Sequence, residues 1–182
     1  VGADLTIFPN PATAPGIART GLFGGGLLSP RCWNGAFYYT KVSLTNTGGH
    51  GFFGPGCAGT MPVSKLTAAT APQVGQTLSV TANNVPLNAA FGVLGLSNTN
   101  SVFGPLPLDL TFLGAPGCSA RVDLDAKALL LGAGNSVTWN LGLPNLPSLL
   151  GARAYQQLLV LDTTANSLGI VTSDANGFVI GL

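Results

Sequence analysis

Thr77-Leu78-Ser79-Val80-Thr81-Ala82-Asn83 alternates without a break. Leu78, Val80 and Ala82 fall on one side of an extended chain, and Thr77, Ser79, Thr81 and Asn83 on the other. Strand side chains alternate with a period of two, so this stretch reads as a strand with one buried and one wet face. Outward from it, runs rich in β-formers recur between Gly, Pro and Asn. They are Asp4–Phe8, Phe37–Asn46, Met61–Thr67, Ala89–Ser97, Leu108–Leu113, Cys118–Leu124, Ser136–Leu141, Ala154–Asp162, Leu168–Ser173 and Phe178–Leu182. The short intervals leave little room for the helices that parallel strands require. Asp125–Leu131 fits a short helix or a strand, and Pro147–Gly151 fits one helical turn ended by glycine. The expected fold is all-β: an antiparallel β-sandwich, jelly-roll or immunoglobulin-like, with a short N-terminal β appendage.

Two regions are expected. Residues 1–56 form the appendage, with Gly24-Gly25-Gly26, Gly48-Gly49 and the aromatic run Trp33-Asn34-Gly35-Ala36-Phe37-Tyr38-Tyr39. Residues 57–182 form the sandwich. The boundary falls in Gly51–Gly56, six residues with three glycines and a proline.

Composition narrows the function. Of 182 residues only 7% are charged, against about 25% in an ordinary soluble domain, and the net charge is +1. A hydrophobic share of 46% excludes disorder driven by charge. Arg19, Arg31, Lys41, Lys65, Arg121, Lys127 and Arg153 are scattered, whereas phosphate binding needs clustered cations, so nucleic acid is not an expected partner. Lys65 to Asp109 is free of charge between its ends but is broken by Pro72, Gln73, Asn83, Asn84, Pro86 and Asn88. It offers no run near the ~20 apolar residues of a spanning helix. The opening stretch Val1–Pro11 has neither a basic nor a long apolar region, as expected of a mature chain whose export signal has been removed.

Cys32, Cys57 and Cys118 allow three pairings. Cys57 with Cys118 is favoured; it closes a loop of about 60 residues and contributes about 4 kcal/mol through loop entropy. Cys32 is then a buried thiol or a partner for another chain. Cysteines in Gly/Pro-rich turns of a chain poor in Lys and lacking Glu suggest an oxidising, extracellular setting.

Several stretches carry a resemblance: Gly56-Cys57-Ala58-Gly59, Val93–Asn98, Leu106-Pro107-Leu108-Asp109-Leu110 and Leu113-Gly114-Ala115-Pro116-Gly117-Cys118. The last runs from Pro144-Asn145-Leu146-Pro147 through Tyr155-Gln156-Gln157 and Leu161-Asp162 to Asn166–Gly169. Together they resemble an uncharacterised secreted bacterial domain rich in Gly and Pro, often near the C-terminus of large extracellular proteins. The resemblance covers about residues 57–182. It implies secretion and supports the Cys57–Cys118 pairing, and it supplies no activity.

Candidate chemistry is sparse. His50 is the only histidine and lies in Gly48-Gly49-His50-Gly51, which reads as a solvated glycine loop. No G-x-S-x-G is present, and Gly24–Gly26 is followed by no phosphate-loop lysine. No catalytic set is expected. Asp123 and Asp125, two apart at a strand end, share a face and are the weak candidate for a calcium ion or a carboxylate pair. No other cofactor is expected. Trp33, Tyr38 and Tyr39 are a candidate sugar platform. Leu5, Ile7 and Phe8, in an extended run, are candidate anchors that add a strand to a neighbour's sheet.

A nearly uncharged, strand-rich surface lacks both self-repulsion and the lysines that blunt sheet edges. The expected function is therefore a non-enzymatic extracellular subunit of a filament, tube or surface layer, assembled with copies of itself. The alternative is a secreted carbohydrate-binding or adhesion module acting on extracellular polysaccharide through Trp33, Tyr38 and Tyr39.

Overall fold

The structure, a computed structural model, describes Gly48–Leu182. Its strands are β1 (Gly49–Phe53), β2 (Leu66–Ala68), β3 (Thr77–Asn83), β4 (Ala89–Gly95), β5 (Asn100–Ser101) and β6 (Gly104–Pro105). They continue with β7 (Leu108–Asp109), β8 (Ser119–Ala120), β9 (Ala126–Leu131), β10 (Ser136–Gly142), β11 (Arg153–Leu161) and β12 (Ile170–Val179). One-turn 3-10 helices occupy Thr111–Leu113 and Pro147–Leu149. The fold is all-β, as expected. A five-stranded antiparallel sheet runs β1-β12-β11-β4-β9, and a three-stranded one runs β10-β3-β2. Ribbons β5-β6 and β7-β8 stand beside them.

The alternation in β3 does what it predicts. Leu78, Val80 and Ala82 are buried and meet Val137 and Trp139 of β10 in the core. Ala90, Leu130, Leu158, Val160 and Phe178 of the larger sheet complete that core from the other side. Trp139 fits because β4 carries glycine beneath it: a Cβ on Gly92 would lie 2.8 Å from the indole ring. Sheets packed face to face sit about 10 Å apart, so a ring this large needs a small residue opposite.

A second cluster of Val93, Val122 and Ala175, with Phe53, Tyr155 and Leu159 against it, covers part of the outer face of the large sheet. The middle strands β11 and β12 are thus covered on both faces, and their burial does not alternate. This explains one departure from the sequence reading. Asp174-Ala175-Asn176-Gly177 reads as a turn between two strands, yet β12 runs through it unbroken. Tertiary partners take up the polar side chains: Asp174 Oδ1 accepts the Leu66 amide at 2.8 Å, and Asn176 Nδ2 donates to Gln156 Oε1 at 3.2 Å.

The stretch read as a boundary, Gly51–Gly56, is also structured at its start, because β1 pairs along β12 from Gly49↔Val179 to Phe53↔Ala175. His50 therefore stands on an edge strand and not in a solvated loop. Its Nε2 donates to the Thr70 carbonyl at 2.9 Å, which leaves Nδ1 to accept from Asn176 Nδ2 at 3.0 Å. Cys118–Leu124 contains only the two-residue strand β8, and Leu108–Leu113 divides into β7 and a 3-10 turn.

Candidate functional site

β9 reads Ala126-Lys127-Ala128-Leu129-Leu130-Leu131. Ala128 and Leu130 face the core, which leaves Lys127, Leu129 and Leu131 on the outer face. Leu129 is 57% exposed and Leu131 74%. In the register of the sheet, Leu129 lies beside Phe91 and Phe91 beside Leu159, so an apolar stripe crosses β9, β4 and β11. β9 ends its sheet, and among the described residues no backbone group pairs with its outer edge. Lys127 is the only charge along it. Sheet edges are usually guarded by charge, proline, bulges or covering loops, because unpaired N–H and C=O groups template further strands. This edge carries one such guard.

The edge is rigidly placed. The Gly132 amide donates to the Asn88 carbonyl at 2.8 Å, and the Asn135 amide to Asn88 Oδ1. Gly134 and Asn135 both take left-handed φ, 62° and 60°, the backbone of a tight hairpin turn, and Ala133 pairs with Ser136 across it. A second apolar prominence is the β5-β6 tip, where Phe103 is 67% exposed beside Val102 at 81%. Its shape is held by Ser101 Oγ, which donates to the Gly104 carbonyl and accepts the Phe103 amide.

The residues singled out from sequence fall as follows. Cys57 and Cys118 form a disulfide with Cα atoms 5.0 Å apart, 61 residues apart in sequence. Asp123 Oδ1 accepts the amides of Leu124 at 2.9 Å and Val102 at 3.4 Å. Asp125 Oδ2 accepts that of Leu96 at 2.8 Å. The two carboxylates lie in the loop before β9, each holding backbone. Leu5, Ile7, Phe8, Trp33, Tyr38 and Tyr39 lie outside the described residues, as does Cys32. Of the other aromatics, Trp139 is 7% exposed in the core, and Tyr155 packs edge-on against Phe53 at 6.0 Å.

A groove of about 370 Å³ opens between β1 and the segment leading to β2, with Phe52, Phe53, Val63, Lys65 and Asp174 in its wall. Burial pushes the Asp174 carboxyl above its ordinary value, outweighing the Leu66 amide and the Lys65 charge that favour ionisation. Asp162 goes the other way: burial would raise it, but hydrogen bonds from the Thr60 amide and hydroxyl and from Thr164 hold it below the usual range. Both acids fasten backbone segments. Among the described residues no group of three or more His, Cys, Asp or Glu side chains is placed to hold a metal ion, and no helix is long and apolar enough to cross a membrane.

Sequence reading did not single out β9 as a site. The signal was present in Ala126–Leu131, six residues with one charge and three consecutive leucines, but helix and strand were equally open to it. Only the sheet order shows that β9 is an edge strand among the described residues. The chain was compared with known protein families, curated proteins and solved structures, and it matches none of them.

Proposed function

We propose that this protein is a non-enzymatic, extracellular structural subunit that assembles with copies of itself through an open strand edge and apolar contact. The observation that carries this reading is β9, an edge with no partner strand among the described residues, flanked by exposed Leu129, Leu131 and Phe91. In a monomer such an edge is a liability; in a subunit it is a joint. The low charge of the whole chain points the same way, since little self-repulsion opposes close packing of neighbours. The intramolecular disulfide fits an oxidising location. Contacts that join unlike patches propagate into filaments or layers unless the rotation between neighbours closes them into a ring.

Negative-stain microscopy tests the proposal. Extended or ring-like assemblies of the wild type are expected, and their loss in Leu131→Lys, which places a charge on the edge and leaves the core untouched. Equal assembly by Leu131→Lys would contradict the role given to β9.

A further inference from the structure

An exposed aromatic ring, an acid and a cation meet in the groove of about 370 Å³ between β1 and the segment leading to β2. That volume falls within the range of small-molecule sites. Phe52 is 44% exposed in its wall. The ring is not loose. His50, two residues earlier on the same face of β1, stacks on it at 6.2 Å with the planes 15° apart, and His50 is itself fixed by the Thr70 carbonyl and Asn176. The wall at Gly54–Gly56 is fixed as well. A Cβ on Gly56 would fall 2.2 Å from the Thr172 carbonyl oxygen, so the chain there lies directly on β12. The Arg121 side chain covers Gly54, and its Nε donates to the Pro55 carbonyl at 3.2 Å. Cys57, next in sequence, is pinned by the disulfide. A groove with fixed walls binds without the cost of ordering them.

The polar groups of the groove have capacity left. Asp174 gives Oδ1 to the Leu66 amide, and among the described residues no other residue donates to its Oδ2. Lys65 is near enough for its charge to act on that carboxyl, yet no hydrogen bond joins the two. Burial holds Asp174 above its ordinary pKa, at a cost to folding, and acids kept at such a cost gather at functional sites. The row behind Phe52 is polar too. Asn176 and Gln156 follow it in register on the same face of the sheet, and Gln156 Nε2 is buried without a partner.

These groups select a ligand class. An anion would meet the Asp174 charge and a cation the Lys65 charge, while a purely apolar ligand would bury both without partners. A neutral pyranose with equatorial hydroxyls answers all three groups. Its faces carry only C–H, which pack on the negative face of an aromatic ring, and its rim hydroxyls both donate and accept. We propose that this groove binds a neutral pyranose unit of a polysaccharide, stacked on Phe52, with hydroxyls donating to Asp174 and accepting from Lys65. The site uses none of Trp33, Tyr38 and Tyr39. It lies at the opposite edge of the five-stranded sheet from β9, so it stands or falls apart from the assembly reading.

Calorimetric titration with cellohexaose and xylohexaose, whose rings all carry equatorial hydroxyls, tests it. Saturable binding of at least one is expected for the wild type. Phe52→Ala and Asp174→Asn should each weaken it by about tenfold or more, the effect of losing a stacked ring or a charge-assisted hydrogen bond. Asp174→Asn keeps the Leu66 bond and relieves the buried charge, so a loss of binding there is not a loss of folding. Leu131→Lys, on β9, should bind as the wild type does. Failure of both sugars to bind the wild type would overturn the proposal, and so would unchanged binding by either groove variant. Binding lost in Leu131→Lys would place the sugar at β9 and overturn the groove as its site.

Discussion

Gln156 and Gln157 are sequence neighbours, each only 1% exposed, and held in opposite ways. Gln157 crosses three segments: its Oε1 accepts the Arg121 amide at 2.8 Å, and its Nε2 donates to the carbonyls of Ser119 and Ser173. Gln156 accepts one bond from Asn176, and its Nε2 is buried without a partner. Removing a bonded polar side chain strands its partners, at about 1–3 kcal/mol for each buried group left unpaired, whereas removing an unpartnered amide relieves a cost. Gln157→Leu should therefore lower stability by about 2–4 kcal/mol in urea titration, and Gln156→Leu by less than about 1 kcal/mol. Equal losses would mean that this hydrogen-bond pattern does not govern the core. Cys57, Cys118, Gln157 and Asp162, in the stretches that carry the resemblance, are likewise fastenings of the fold.

At the scale of the element, β3 was legible to the residue because one of its faces is buried and the other wet, so its pattern is its address. β4, β10 and β11 were legible to within a residue or two for the same reason or because they are long apolar runs. β12 was not, since its turn-like residues are satisfied by other strands, and no local signal reports that. β1 was hidden by its glycines, and the helix-or-strand ambiguity of β9 was settled by its neighbour β4. Two fastenings between elements are open to test. The disulfide ties Cys57, where the chain bonds to Thr172 of β12, to Cys118 ahead of β8. Replacing both cysteines by serine should cost about 4 kcal/mol by loop entropy, seen as a lower urea midpoint. Asp174 ties β12 to β2. Because burial raises its pKa, the fold prefers the protonated carboxyl and loses stability as pH rises through that raised value. Asp174→Asn keeps an acceptor for the Leu66 amide and carries no charge. It should melt above the wild type at pH 7, with the gap closing at pH 3, below the ordinary 3.8. A wild-type advantage at pH 7 would show that the Lys65 charge outweighs burial.

For the whole molecule, the low charge was legible from composition, and the proposal of association is argued from it. The proposed place of association was not legible, because an edge is a property of sheet order and not of any one strand. The account's central claim is that this edge joins copies through strand pairing and apolar contact. Light scattering of the wild-type protein over a range of concentrations, in low salt and in 1 M salt, tests it most directly. The expected particle mass rises in multiples of 18.3 kDa with concentration and changes little with salt, since screening weakens only charge–charge contact. A particle that stays at 18.3 kDa at every concentration would contradict the claim, and so would one that falls to that mass in salt.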